Sequence, residues 1–276
     1  MELEILRNIQ SIANPFLDIL FQLITICGEQ MVLVLIISII YWVKDKKFGE
    51  YIAYAVLTSV LVNCVVKDIF KFKRPIGEEG IRTLREKTAT GYSFPSGHTQ
   101  GAGSFYEAMA IYIKKKVMYI IAIIMIILIG FSRLYLGVHY PKDVIVGGIL
   151  GVLISYICYN IYNKYENKIM VYTITFIIFL PALTFAHSED FIKGLGAYFG
   201  FLIGMFIEKR YVNFSVEGKG INKVIRVVIG VLILLCLQKG LKIVLPSEAI
   251  FSFIRYSIIS IFGIGIYPMI FKKLKI

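Results

Sequence analysis

Apolar residues run in long blocks along this chain, near 30–43, 51–69, 98–113, 117–133, 143–163, 169–187, 191–208, 224–242 and 249–271. A shorter block from Pro15 to about Cys27 precedes them and is broken by Gly28. None alternates strictly between apolar and polar positions, so the blocks predict helices rather than barrel strands. Several fall short of the ~20 residues that cross a bilayer, and neighbouring loop residues are expected to extend them. At the front, Ile5, Leu6, Ile9, Ile12 and Ala13 share one face of a helix over 2–13, the pattern of an amphipathic helix lying at a membrane surface. Asn14-Pro15 then reads as an N-cap followed by a first-turn proline. The predicted fold class is all-α, a polytopic transmembrane helical bundle of nine spans, or ten if residues 15–27 also cross.

Composition agrees: 58% of the 276 residues are hydrophobic, more than a soluble domain of this size hides in one core. The formal net charge is +12, from 30 Lys+Arg against 18 Asp+Glu. In a soluble chain that excess points to nucleic acid. Here the basic residues sit mainly in loops between apolar blocks, so anionic headgroups and phosphates are the expected partners, and nucleic acid is not. Cys27, Cys64, Cys158 and Cys236 lie in or beside apolar blocks without paired spacing and read as small hydrophobes, not as a metal site or a disulfide framework. The N-terminal residues lack the pattern of a cleavable signal peptide.

Charge also orients the bundle. Lys44/Lys46/Lys47, Lys114/Lys115/Lys116, Lys164/Lys168, Lys209/Arg210/Lys219/Lys223 and Lys272/Lys273/Lys275 occupy alternate loops or the C-terminus, which makes them cytoplasmic. Loops 70–97, 134–142, 188–190 and 243–248 are then external. The expected location is the plasma membrane. Chemistry-bearing residues end near 165, which suggests a core over 1–165 and a further four-span membrane region over 166–276.

Three clusters on the external side carry that chemistry: Lys67 with Arg74-Pro75, then Pro95-Ser96-Gly97-His98, then Ser132-Arg133, His139 and Asp143. Charges this close to spans are costly, ~2.5–3.5 kcal/mol at a helix centre, so they either snorkel or serve a function. Singly, each cluster has an ordinary reading as a snorkelling pair, a turn or an interfacial anchor. Together they hold what phosphoryl transfer needs. Lys67, Arg74 and Arg133 are cations for an anionic group, and arginine's planar fork matches phosphate oxygens. Ser96 and Gly97 precede an apolar helix, whose N-terminal amides form an anion site. His139 has Asp143 four residues on, which can fix its tautomer and free the other ring nitrogen to attack.

These residues resemble the type 2 phosphatidic acid phosphatase superfamily. Its three motifs stand here as KDIFKFKRP (67–75), PSGH (95–98) and SRLYLGVHYPKD (132–143), complete and in order. The resemblance implies a metal-independent, cofactor-free lipid phosphatase of bacterial type that works through a phosphohistidine. It implies His139 as nucleophile, Asp143 as its orienter and His98 as general acid. It also implies Lys67, Arg74, Ser96, Gly97 and Arg133 as phosphate ligands. Undecaprenyl diphosphate, phosphatidylglycerol phosphate, phosphatidic acid and sphingoid phosphates all fit as substrates.

A phosphotransferase would use the same histidine with another acceptor, and a transporter or scramblase would keep the site as a relic. The intact His139, Asp143 and His98 argue against the relic. The related vanadium-dependent haloperoxidases share the site geometry but are soluble. Outside the motifs, Arg255, Lys242 and Lys239 flank the external loop 243–248 and form a candidate accessory anion site. Glu107 within a span reads either as a functional carboxylate or as a hydrogen-bonded helix contact, and His187 beside Glu189 and Asp190 reads more simply as structural.

Overall fold

The structure, a computed structural model, describes residues 1–274. Lys275, expected in the cytoplasmic C-terminal cluster, lies outside the described residues. Among these residues there is no strand. In chain order the helices are α1 (Glu2–Gln10), α2 (Pro15–Ile26), α3 (Gln30–Ile39), α4 (Lys46–Phe70), α5 (Gly97–Ile113), α6 (Lys116–Tyr135), α7 (Pro141–Lys164), α8 (Lys168–Phe179), α9 (Glu189–Ile207), α10 (Gly220–Val244), α11 (Ala249–Ile261) and α12 (Tyr267–Leu274). Each apolar block of the sequence is therefore helical.

Six stretches are long and apolar enough to cross a membrane: Lys46–Phe70, Lys116–Tyr135, Pro141–Lys164, Glu189–Val212, Gly220–Val244 and Ala249–Leu274. The count is seven if α1 and α2, bent by 119°, are taken as one. This is fewer than the nine to ten expected. The difference lies in element length: the apolar stretches Gln30–Lys44 and Lys168–Thr184 have at most 17 residues, as does α5. The 12 residues of α2 reach only about 18 Å, short of a ~30 Å hydrocarbon core.

The chain forms two compact units. The first comprises Met1–Leu33 and Val62–Asn160. Here α5 and α7 pack backbone to backbone through glycines. A Cβ on Gly103 would stand 2.9 Å from the Gly148 carbonyl oxygen, and one on Gly147 would stand 2.7 Å from that of Ser96. Ile120, Ile123, Ile124 and Ile127 on α6, with Ile145, Ile149 and Leu153 on α7, are exposed. Such faces suit acyl chains, not water.

Helix α1 ends at Gln10, and its apolar face is only partly free. Leu6 is fully buried while Ile5 and Ile12 are exposed. Ile9 and Ala13 join Leu17 and Ile24 of α2 around Phe21, Tyr135, Leu136 and Val138. As expected, Asn14 caps α2, its Oδ1 accepting the N–H of Leu17 at 3.0 Å. Polar ties fix the pair to the loop after α4. Arg7 donates to the Glu79 carbonyl at 2.7 Å, and Gln10 to that of Arg82 at 2.7 Å. Both regions flanking the middle of α2 meet the same short stretch of this loop: Arg82 grips Asp18 with two 2.7 Å bonds, and Arg85 pairs with Glu29 just past the helix.

The second unit comprises Val34–Leu61 and Ile161–Ile276. Its helices α9 and α11 meet along a stripe of small residues, Gly196, Gly200 and Gly204, against Phe253, Ser257, Ser260 and Ile264. Single π turns at Ile40–Lys44, Glu208–Val212 and Phe262–Ile266 interrupt its helices. There the Trp42 indole N–H donates to the Gly263 carbonyl at 2.9 Å, and Lys46 pairs with the fully buried Glu208 at 2.6 Å.

Candidate active site

All eight motif residues singled out in the sequence belong to the first unit. Pro141 starts α7 with its fixed φ, which places Asp143 in the first turn. That turn brings Asp143 back over the preceding segment. Its Oδ2 accepts the backbone N–H of Tyr140 at 2.8 Å and the hydroxyl of Ser93, and lies 3.2 Å from His139 Nδ1. A carboxylate only accepts, so Nδ1 carries the ring proton and Nε2 keeps its lone pair. Nε2 lies 2.9 Å from Arg74 Nη1. Burial first, then the charges of Arg74, Lys67 and Arg133 and the neighbouring His98, hold the His139 imidazole well below the usual histidine range. The ring is neutral at pH 7, the form that can attack phosphorus.

The cations converge on this ring from separate elements. Arg74 follows α4 and is locked by backbone carbonyls, donating to Gly91 at 3.0 Å, Thr90 at 2.6 Å and Val138 at 2.9 Å. Lys67, in the last turn of α4, reaches the carbonyls of Tyr92 and Ser93. Arg133, in the last turn of α6, is fully buried. Its Nη1 donates to Thr25 Oγ1 at 2.8 Å, while Nε and Nη2 have no partner among the described residues. Such unused donors on a buried guanidinium are expensive unless an anion takes them.

Helix α5 contributes the remaining face. Ser96 caps it, accepting the Thr99 hydroxyl at 3.0 Å, and its own N–H donates to the Asp143 carbonyl at 2.9 Å. Gly97 leaves room for Asn63, whose Oδ1 would stand 3.3 Å from a Cβ there. His98 opens the helix, and its Nε2 is buried without a partner among the described residues. His98 and the cations Arg74, Lys67 and Arg133 are all close enough to act on His139, and such a set of groups is suited to holding a tetrahedral oxyanion.

The accessory candidates lie in the second unit. Arg255 is buried in α11 and donates to the Pro246 carbonyl at 3.2 Å, whereas Lys239 and Lys242 on α10 are exposed. His187 is exposed in a loop, and Glu107 is half-buried on α5. Sequence reasoning missed Thr25, Ser93, Glu29 and Arg85. A signal existed for two of them: Asp18, Gln22 and Thr25 recur at helical spacing, a polar stripe along the otherwise apolar α2 that Glu29 continues just past its end.

Fold and site together describe a multi-pass helical membrane protein with a buried histidine–aspartate pair among cations. Residues 49–167 match the model of the PAP2 superfamily, and residues 192–276 match the "PAP2 superfamily phosphatase, transmembrane extension". Phosphatidylglycerophosphatase B of Bacillus subtilis is 31% identical over 159 residues, which cover 53% of this chain and 75% of that protein. The chain belongs to the PAP2 superfamily. An undecaprenyl-diphosphatase of Sulfolobus acidocaldarius is 31% identical over 118 residues, 43% of this chain, and the match spans only 57% of that protein's length. Among solved structures, LpxE of Aquifex aeolicus superimposes with a TM-score of 0.52 at 27% identity, covering 58% of this chain and 94% of that one. The curated relatives are named as phosphatases of lipid phosphates.

Proposed function

We propose that this chain hydrolyses a lipid phosphate or diphosphate through a phosphohistidine on His139. The observation that carries this reading is the Asp143–His139 pair, which leaves a neutral Nε2 among Arg74, Lys67 and Arg133. In the first step Nε2 attacks phosphorus and the bond from phosphorus to the leaving oxygen breaks. His98 gives that oxygen its proton. In the second step His98 takes a proton from water, the hydroxide attacks phosphorus, and the P–N bond breaks to release phosphate. Lys67, Arg74, Arg133, the Ser96 hydroxyl and the Gly97 amide at the N-terminus of α5 balance the charge on the three equatorial oxygens. Cations thereby fill the place that metal ions take in other phosphatases, and activity is expected to survive EDTA.

The site lies on the extracytoplasmic face of the plasma membrane, since the lysine-rich loops Lys44–Lys47 and Lys114–Lys116 mark the opposite side. In this reading α2 dips in without crossing, because Asp18 and Glu29 meet residues three apart in one loop. Nine apolar segments then cross, some of them extended by adjoining residues. Phosphate release by the full-length chain from a panel of undecaprenyl diphosphate, phosphatidylglycerol phosphate, phosphatidic acid and sphingoid phosphate tests the activity. His139→Ala should abolish release; wild-type turnover in that variant refutes the mechanism.

A further inference from the structure

Residues 25–29, at the end of α2 and just past it, meet both the candidate site and the loop after α4. Thr25 accepts the Arg133 guanidinium at 2.8 Å. Gly28 lies against the start of α5, where a Cβ would stand 3.2 Å from the His98 carbonyl oxygen. Glu29 forms an ion pair with Arg85. Arg85 is close enough for its charge to act on both His98 and Arg133, and Glu29 for its charge to act on Arg133.

The Arg85 pair differs from its neighbour in the same loop. Arg82 meets both oxygens of Asp18 at 2.7 Å, and Tyr135 donates to the same carboxylate, a saturated bridge. Arg85 instead meets one oxygen of Glu29 through Nη2, and its Nε is buried with no partner among the described residues. Its side chain is 22% exposed, so a ligand can reach it. The backbone at Arg85 is left-handed, φ 57° and ψ 36°, a conformation that L residues seldom adopt. It is held there from both sides. Leu84 donates to the Leu136 carbonyl at 3.0 Å, and the Arg85 carbonyl accepts both the N–H and the hydroxyl of Thr88. A strained residue fixed this firmly within electrostatic reach of His98 and Arg133 points to a role for its side chain.

We propose that Arg85 recognises a second phosphate adjoining the one that His139 attacks, and that Glu29 occupies the guanidinium until such a substrate arrives. The ligand class is a lipid diphosphate, whose outer phosphate is transferred while the inner one takes the fork of Arg85. A monophosphate lipid leaves the Glu29–Arg85 pair intact. The assignment rests on the phosphatase reading above and adds the substrate class to it.

The test uses the full-length protein in mixed micelles with farnesyl diphosphate and farnesyl monophosphate, which share one tail. Arg85→Gln should raise KM for the diphosphate about tenfold or more with kcat little changed, and leave the monophosphate KM within about threefold. Arg85→Lys should recover part of the loss. Glu29→Gln should lower KM for the diphosphate alone. Inorganic pyrophosphate should inhibit the wild type more tightly than phosphate does, and Arg85→Gln should erase that preference. Equal shifts on both lipids overturn the assignment while leaving the phosphatase reading in place. A wild type that releases phosphate from neither lipid, nor from the wider lipid panel, refutes that reading and the assignment with it. If Arg85→Gln does not fold, Glu29→Gln decides, and an unchanged diphosphate KM in that variant overturns the proposal.

Discussion

The backbone N–H of Ser96 donates to the carbonyl of Asp143 at 2.9 Å, which ties the N-terminus of α5 to the first turn of α7. In the proposed mechanism, the residue that orients the nucleophile and the helix end that faces the oxyanion are thus set by one bond. Gly147, one turn along α7, permits it, since a Cβ there would stand 2.7 Å from the Ser96 carbonyl oxygen, on backbone that cannot swing aside. Gly147→Ala gains about 1 kcal/mol of helix propensity and loses about 1–3 kcal/mol to overpacking. The expected result is a lower thermal midpoint and a loss of kcat of about 10²-fold, because displacement of α5 by a fraction of an ångström misplaces the oxyanion ligands. A detergent thermal-shift assay read beside phosphate release checks both effects.

Ser93 gives a finer test of the same assembly. Its hydroxyl donates to Asp143 Oδ2, beside His139 Nδ1 at 3.4 Å. Ser93→Ala removes one of the donors that hold the carboxylate and should cost about tenfold in kcat, in line with a hydrogen bond to a charged acceptor. Asp143→Asn should cost far more, about 10⁴-fold, since an amide can present its N–H to Nδ1 and stabilise the wrong tautomer. Comparable losses in the two variants would show that orientation of the ring is not what Asp143 supplies.

The motifs were legible because their charges stand at the ends of apolar blocks, where an unexplained cation or carboxylate is costly. Lys67, Arg74, Arg133, His139 and Asp143 stand out on that ground, although only as a set do they point to phosphoryl transfer. Thr25 and Ser93 do not. Thr25 is 108 residues from Arg133 and Ser93 is 50 from Asp143, and both are common polar residues that acquire a function only through tertiary contact. Arg85 was hidden in a loop that already looked basic, and nothing local in the sequence signals its left-handed backbone. Helix positions were readable from the apolar blocks, while span number was not. The blocks at 30–43 and 169–187 end in a π turn and a 3-10 turn, which depend on packing and leave no clear periodic mark.

A pH profile follows from His139. Burial, then Arg74, Lys67 and Arg133, disfavour its protonated form, so the folded ring takes up its proton only below the usual value of about 6.5. The attacking form is neutral. The acid limb of kcat/KM that belongs to His139 should therefore fall below pH ~6.5 once the substrate's own ionisation is corrected for. Because the folded pKa is depressed, the matching stability is fully present above the unfolded value and is lost as pH falls toward the folded one. His139→Asn should flatten the thermal midpoint over that acid window. A limb at or above the ordinary histidine value would mean that the surrounding cations do not act on this ring.

Thiol labelling at defined positions reads which face of the membrane the site occupies. Loop residues 78–85 and the segment before α2 share one face of the first unit, since Arg7 and Gln10 of α1 bond the carbonyls of Glu79 and Arg82. The lysines at 114–116 lie at the other end of α5, whose 17 residues span about 25 Å. Gly80 is a poor probe site because its φ of +73° and the nearby Arg7 side chain resist a Cβ. Glu78 and Asn8 are exposed and avoid that strain. In a chain whose four native cysteines are replaced, Glu78→Cys and Asn8→Cys should both react with an impermeant thiol reagent on intact cells, and Lys115→Cys should not. Labelling at 78 without labelling at 8 would mean that α2 crosses after all. Labelling at 115 alone would invert the whole chain and draw substrate from the cytoplasmic leaflet.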